Sequence, residues 1–208
     1  MEAMYARPER NDLKRPGLTV VLLVAVALSP PLHAQSMTVI GGNSFARECY
    51  MSATIAAQSG SGASLQDVRS CTDALSYGNL SLRDRTATFV NRGILYVAMG
   101  DYASGKADYD TATRLSPETG EVYVNRGNLL FLRKNYSEAV DEYSRALSVG
   151  LSKDHIAHYN RGMAYEKMGD ISNAESDYRR AMELVPEWYL PQARLDQMLA
   201  RTQAGRRD

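Results

Sequence analysis

The sequence predicts an all-α fold, an α-solenoid of antiparallel helix pairs, and three observations predict it. The triplet Asn-Arg-Gly recurs as Asn91-Arg92-Gly93, Asn125-Arg126-Gly127 and Asn160-Arg161-Gly162, at intervals of 34 and then 35 residues. A period in the thirties is that of stacked two-helix units, each of which needs its neighbours to cover its apolar face. Around every triplet, side chains recur at i, i+4 and i+7 as Phe89, Gly93, Tyr96, then Tyr123, Gly127, Leu130, then His158, Gly162, Tyr165. That spacing lays them on one helical face. A second helix follows each time, with Gly105, Ala139 and Ala174, then Tyr109, Tyr143 and Tyr178, then Ala112, Ala146 and Ala181 at matching offsets. Small residues on both helices let the backbones approach, and the tyrosines are expected to fill the seam between units.

From the N-terminus, Arg7, Arg10, Lys14 and Arg15 precede an apolar run of eleven residues over 18–28, and Pro30-Pro31 breaks it before Leu32-His33-Ala34. This is the pattern of a secretory signal peptide over residues 1–34, with cleavage near Ala34 and a mature start near Gln35. Eleven helical residues span about half of a bilayer core, which takes about 20, so no stable membrane span is expected. No cysteine stands near enough to the apolar run to be lipidated. Export places the only two cysteines, Cys49 and Cys71, in an oxidising compartment, where a disulfide is expected. Closing that loop is worth about 3 kcal/mol on the loop-entropy model.

Residues 35–43 carry no helical period and end in Gly-Gly, so they read as a linker. Residues 44–80 read as a divergent helix hairpin. Its first helix, over 44–58, puts Phe45, Cys49 and Ile55 near one face; its second, over 64–76, carries Leu65, Val68, Cys71, Ala74 and Leu75 at spacings of three and four. The three full units follow at 86–119, 120–154 and 155–188. Asp101, Asn135 and Asp170 occupy equivalent turn positions and are the residue types that cap a following helix. Gly105, where the other two units carry Ala139 and Ala174, is expected to weaken its helix by about 1 kcal/mol. Residues 189–203 form a capping helix, with Pro191 tolerable in its first turn. Leu195, Met198 and Leu199 would lie on the last unit, with Arg194 and Arg201 facing water. Residues 204–208 are expected to be a disordered tail.

These positions resemble the tetratricopeptide repeat family: the small residues on both helices, the second-helix aromatic, the second alanine, and Pro117 and Pro186 at unit ends all match over residues 86–188. Leu151 departs from the pattern, as does one extra residue in the 147–155 connection. The resemblance implies that Asn91, Asn125 and Asn160 form a ladder on the concave surface, amid Ile94, Asn128, Phe131, Tyr159 and Met163 as the candidate peptide-binding set. Val90, Val97, Glu121, Val124, Ile156 and Glu166 would share that face. A side-chain amide offers donors and an acceptor, so a row of them can pair with the backbone of an extended peptide. Ile156 and Asn160 stand where the family's carboxylate-clamp variety needs a cation, so the expected ligand is an extended or amphipathic segment, not a free C-terminus. A second reading fills the groove with residues 35–43 or with a second copy, making the protein a self-associating structural or envelope-assembly component.

Other classes find little support. The formal net charge is zero and no basic run gathers, so nucleic acid is not an expected partner. Arg92, Arg126 and Arg161 recur in step with Asp108, Glu142 and Asp177, which suggests ion pairs within the repeats. His155 and His158 stand at i, i+3, but no third ligand is implied, so no metal is expected. No nucleophile elbow, phosphate loop or HExxH is present, and neither catalysis nor a cofactor is expected. The reading is a non-catalytic interaction module of the Gram-negative periplasm, monomeric or weakly homodimeric, with a protein or peptide partner.

Overall fold

Each repeat places a glycine beneath a tyrosine ring, and that contact sets how closely its two helices pack. The structure, a computed structural model, describes residues 33–39, 44–59 and 62–204; residues 1–32 of the expected leader and the tail after residue 204 lie outside them. Among the described residues there are helices and no strands. The first hairpin pairs α1 (Ser44–Ser59) with α2 (Leu65–Tyr77). The three units pair α3 (Leu82–Ala98) with α4 (Tyr102–Leu115), α5 (Gly120–Leu132) with α6 (Tyr136–Val149), and α7 (Asp154–Met168) with α8 (Ile171–Leu184), and α9 (Tyr189–Ala204) closes the series. No described helix is long and apolar enough to cross a membrane.

A methyl group on Gly93 would overlap the edge of the Tyr109 ring, and one on Gly127 or Gly162 would lie 2.5 or 2.9 Å from the ring of Tyr143 or Tyr178. The tyrosines therefore close the seam between the two helices of their own unit, and Tyr109 also packs with Val122 and Leu129 of the next unit, as expected for the seam between units. Gly105 has the same role from the other helix. A Cβ there would meet the Val97 Cγ2 at 2.7 Å and the Gly93 carbonyl oxygen at 3.1 Å, so close approach, not helix propensity, decides this residue.

Local signals set the helix starts. Ser81 accepts a hydrogen bond from the Asp84 N–H at 3.1 Å, which begins α3 at Leu82, four residues before the expected unit boundary. Asp101 and Asp170 cap α4 and α8 by accepting from the Ser104 and Asn173 N–H groups, while Asn135 makes no capping bond and donates instead to Glu138.

In the first hairpin, Cys49 and Cys71 are joined in a disulfide. The packed stripe of α1 is Ala46, Cys49, Ala53 and Ala56, all buried, whereas Phe45, Ile55 and, on α2, Leu65 are exposed. The expected large apolar face is thus replaced by a small-residue stripe that lets α1 lie close to α2 and α3. At the other end, Arg194 is only 5% exposed, against the expectation that it faces water. Its Nε donates to Glu166 at 2.7 Å, the Tyr178 hydroxyl donates to the same oxygen at 2.8 Å, and Arg201 reaches the other oxygen at 3.5 Å. Glu166 therefore pins the capping helix to the third unit and is not a groove residue.

Two outcomes follow for stability. Glu166→Ala strands a buried guanidinium and should cost about 3–5 kcal/mol in urea unfolding. Gly127→Ala forces the Tyr143 ring off its seat and should cost about 1–3 kcal/mol, although alanine is the better helix former.

Candidate functional site

An extended chain carries an N–H and a C=O at every residue and has no internal partners for them, so a surface that holds it must supply both donors and acceptors. Residues 33–39 meet such a surface on α3, α5 and α7. Asn91 Oδ1 accepts the Met37 N–H at 2.9 Å while its Nδ2 donates to the Met37 carbonyl at 2.8 Å. Asn125 repeats the pair with Gln35, at 3.1 and 2.9 Å. Asn160 of the third unit and Asn128 of the second both donate to the His33 carbonyl at 3.2 Å. The rungs fall on residues 33, 35 and 37, the two-residue period of an extended strand. The segment runs from the third unit to the first, opposite to the order of the repeats.

The asparagines are themselves fixed from behind. Asn91 and Asn160 are fully buried and Asn125 nearly so. The Asn125 Nδ2 also donates to the Glu121 carbonyl, one turn back on α5. Asn128 Oδ1 accepts from the Tyr143 hydroxyl at 2.8 Å and from Asn160 Nδ2 at 2.9 Å, so the tyrosine that covers Gly127 also orients a rung. On the side of Ala34 lies a cavity of about 290 Å³, lined by Ile94, Val97, Tyr102, Asn125, Asn128 and Leu132 among others. On the other side, Ser36 Oγ lies 3.0 Å from Thr54 Oγ1 of α1.

Of the sequence-expected set, Asn91, Asn125, Asn128, Asn160, Ile94 and Tyr159 gather around the segment. Phe131 packs edge-on to Tyr136 at 5.2 Å, and Met163 is fully buried in the core of the third unit with Tyr178, Leu195 and Met198. Sequence reasoning missed His33, Trp188 and the role of His155. The His33 ring lies 5.7 Å from Tyr159 and 5.3 Å from Trp188, and His155 lies 5.3 Å from the same indole. A usable signal was present: residues 35–39 lack a helical period but are not turn-rich, and the only tryptophan of the chain ends the third unit.

The recurrent charges are placed elsewhere, between the two helices of each unit. Arg92 grips Asp108 and Arg161 grips Asp177 with two bonds each, all at 2.8 Å, while Arg126 makes one 3.1 Å contact with Glu142. Burial pushes the Asp177 carboxyl up, but Arg161 and His158 together hold it below its usual range. His158 Nδ1 is 2.8 Å from Asp177, whereas His155 faces Trp188, so the two histidines serve different partners. Among the described residues, no group of three or more histidine, cysteine or acidic side chains is placed to hold a metal ion.

Burial, and secondarily His155, lowers the basicity of His33 below its ordinary value of 6.5. His155 is lowered in the same direction by burial and Lys153, against Asp154 and Glu187. A depressed histidine makes docking favourable above the ordinary value and progressively less so below it, because the released segment takes up the proton first. In the uncleaved chain, Trp188 fluorescence should therefore be steady above pH 7 and report release of the segment as the pH falls below about 6.5, with His33→Phe removing most of that change.

Comparison with known proteins places this geometry. Residues 90–155 and residues 155–187 each match a tetratricopeptide repeat model. A lipoprotein described as an NlpI homolog in Haemophilus influenzae is 28% identical over 101 residues, covering 49% of this chain and 32% of that protein. The heat shock protein STI1 of Saccharomyces cerevisiae is 27% identical over 70 residues, covering 34% of this chain and 12% of its own length. The chain thus spans a third or less of either relative. Among solved structures, PilW, described as a widely conserved type IV pilus biogenesis factor, superposes with a TM-score of 0.61 at 21% identity, over 78% of this chain and 71% of PilW. The first repeat domain of Spaghetti (RPAP3), bound to the HSP90 peptide SRMEEVD, gives 0.54 at 20% identity, over 57% and 95%. At these identities the likeness is one of fold.

Proposed function

Taking the tetratricopeptide repeats of residues 90–187 as the premise, we propose that this chain is a non-catalytic protein-interaction module of the periplasm, whose groove holds a polypeptide in extended form. The observation that carries this reading is the doubled backbone pairing of Asn91 with Met37 and of Asn125 with Gln35. Neither rung uses a side chain of the segment, so the same amides can receive another chain's backbone. Periplasmic residence rests on the leader-like N-terminus and agrees with the Cys49–Cys71 disulfide. The repeat domain of Spaghetti, bound to an HSP90 peptide, supports the class of ligand, and this groove lacks the cations that a terminal carboxylate would need at residues 156 and 160.

A second reading has its own observation: the groove is occupied by the chain's own residues 33–39. On that reading the segment is a built-in occupant, and a partner binds by displacing it or by receiving it in a second copy.

Replacing Asn91, Asn125 and Asn160 together with alanine tests the ladder. At about 1 kcal/mol for each net hydrogen bond, the two full rungs contribute about 2–4 kcal/mol of docking. Hydrogen exchange at the Gln35 and Met37 amides should then accelerate by roughly thirtyfold or more while helical circular dichroism is kept. An envelope protein captured by the unsubstituted chain should be lost by the variant; equal capture by both would contradict the proposal. Light scattering across concentrations separates displacement from exchange between copies, since only exchange yields a dimer that the triple variant abolishes.

A further inference from the structure

The third rung differs from the other two. Gln35 and Met37 are held through their backbones, whereas His33 also seats its side chain against two rings, with a third behind them. Tyr159 lies beside it at 5.7 Å, Trp188 meets it nearly edge to face at 5.3 Å and 75°, and His155 meets that indole again at 5.3 Å and 82°. Tyr159 is fully buried, yet its hydroxyl has no hydrogen-bond partner among the described residues, and the same holds for the Asn160 Oδ1 and the His33 Nε2. Beside the imidazole a shallow, open depression of about 360 Å³ is bordered by His155, Ile156, Val185, Glu187 and Trp188. The seat is therefore not closed over its resident.

We propose that this seat is a side-chain-reading subsite of the groove: it accepts one uncharged planar ring from an extended chain, two residues ahead of the residue paired with Asn125. The resident ring is His33, and the ligand class in trans is a partner segment that presents tyrosine, phenylalanine or tryptophan at that place. This rests on the reading of the groove as an extended-chain site and adds a sequence requirement to it. The two backbone rungs fix register, so no neighbouring side chain can slide into the seat without breaking four hydrogen bonds. Tilted and edge-to-face ring contacts at these separations select a flat partner over an aliphatic one. Charge is disfavoured because partial burial and, secondarily, the nearby His155 both lower the basicity of His33.

If the expected leader is cleaved near Ala34, hydrolysis of the bond before Gln35 would leave a carboxylate on Ala34 and an amine on Gln35. The Gln35 and Met37 rungs would then stay with the mature chain, and the ring would leave with the leader.

The test uses the full chain carrying Gln35→Pro and Met37→Pro, which removes the two N–H donors of the resident segment. Four fluorescent peptides spanning residues 31–39 are titrated into it at pH 7.5: the natural sequence and the His33→Phe, His33→Ala and His33→Lys forms. The natural and phenylalanine peptides should bind, the alanine peptide about tenfold more weakly, and the lysine peptide more weakly still; Trp188 fluorescence should change only with the first two. Equal binding of all four, lost on the triple asparagine substitution, would overturn the ring seat and leave the groove standing. No binding by any peptide would overturn both. Should the doubled proline chain fold poorly, hydrogen exchange at Gln35 and Met37 in the otherwise natural chain decides the same question: His33→Phe keeps protection and His33→Ala loses about tenfold, whereas equal protection in both overturns the seat.

Discussion

The contact between glycine and tyrosine inside each unit is the constraint on which the other features rest. Because a Cβ at Gly93, Gly127 or Gly162 would press into a tyrosine ring, the two helices of each unit are packed closely at the same point. Similar packing in each unit favours a regular step between units, on which Asn91, Asn125 and Asn160 can meet an extended backbone. Tyr143 shows the linkage in one side chain: its ring lies on Gly127 and its hydroxyl donates to Asn128, which in turn accepts from Asn160. Packing and recognition are thus joined through a few shared atoms.

The ion pairs follow from the same geometry. Arg92 and Arg161 reach across the interhelix seam to carboxylates on the second helix, and their bidentate grip fixes helix rotation once distance has been set. The middle unit is looser, since Arg126 divides itself between Glu142 and Asp110. Burial pushes the Glu142 carboxyl up, as expected where a single guanidinium contact does not fully offset desolvation.

Much of this was legible in the sequence because it repeats. The triplets, the tyrosines, the recurrent charges and the alanines each recur at a fixed period, and periodicity is the signal from which helix faces are read. The unrepeated features were harder. Arg194 looked solvent-bound because its partner, Glu166, lies 28 residues away on a different helix. Gly105 looked like a weak helix residue because Val97, which forbids a larger one, belongs to the preceding helix. His33 lies 127 residues from Asn160, and although the second reading puts residues 35–43 in the groove, nothing near His33 in sequence indicates that it joins them. Propensity and pattern report on neighbours in sequence; these contacts are decided by neighbours in space.

The position of the groove segment along the chain has a quantitative consequence. Met37, on the first rung, is only seven residues before Ser44, where α1 begins. An occupant on so short a tether acts at an effective concentration in the millimolar range or above. A free competitor must therefore overcome local mass action as well as intrinsic affinity, and its apparent dissociation constant on the intact chain is raised by the ratio of that local concentration to the tethered segment's own dissociation constant. Weak ligands would be silenced altogether and only tight or abundant ones admitted, so the segment sets a threshold on what the groove can hold.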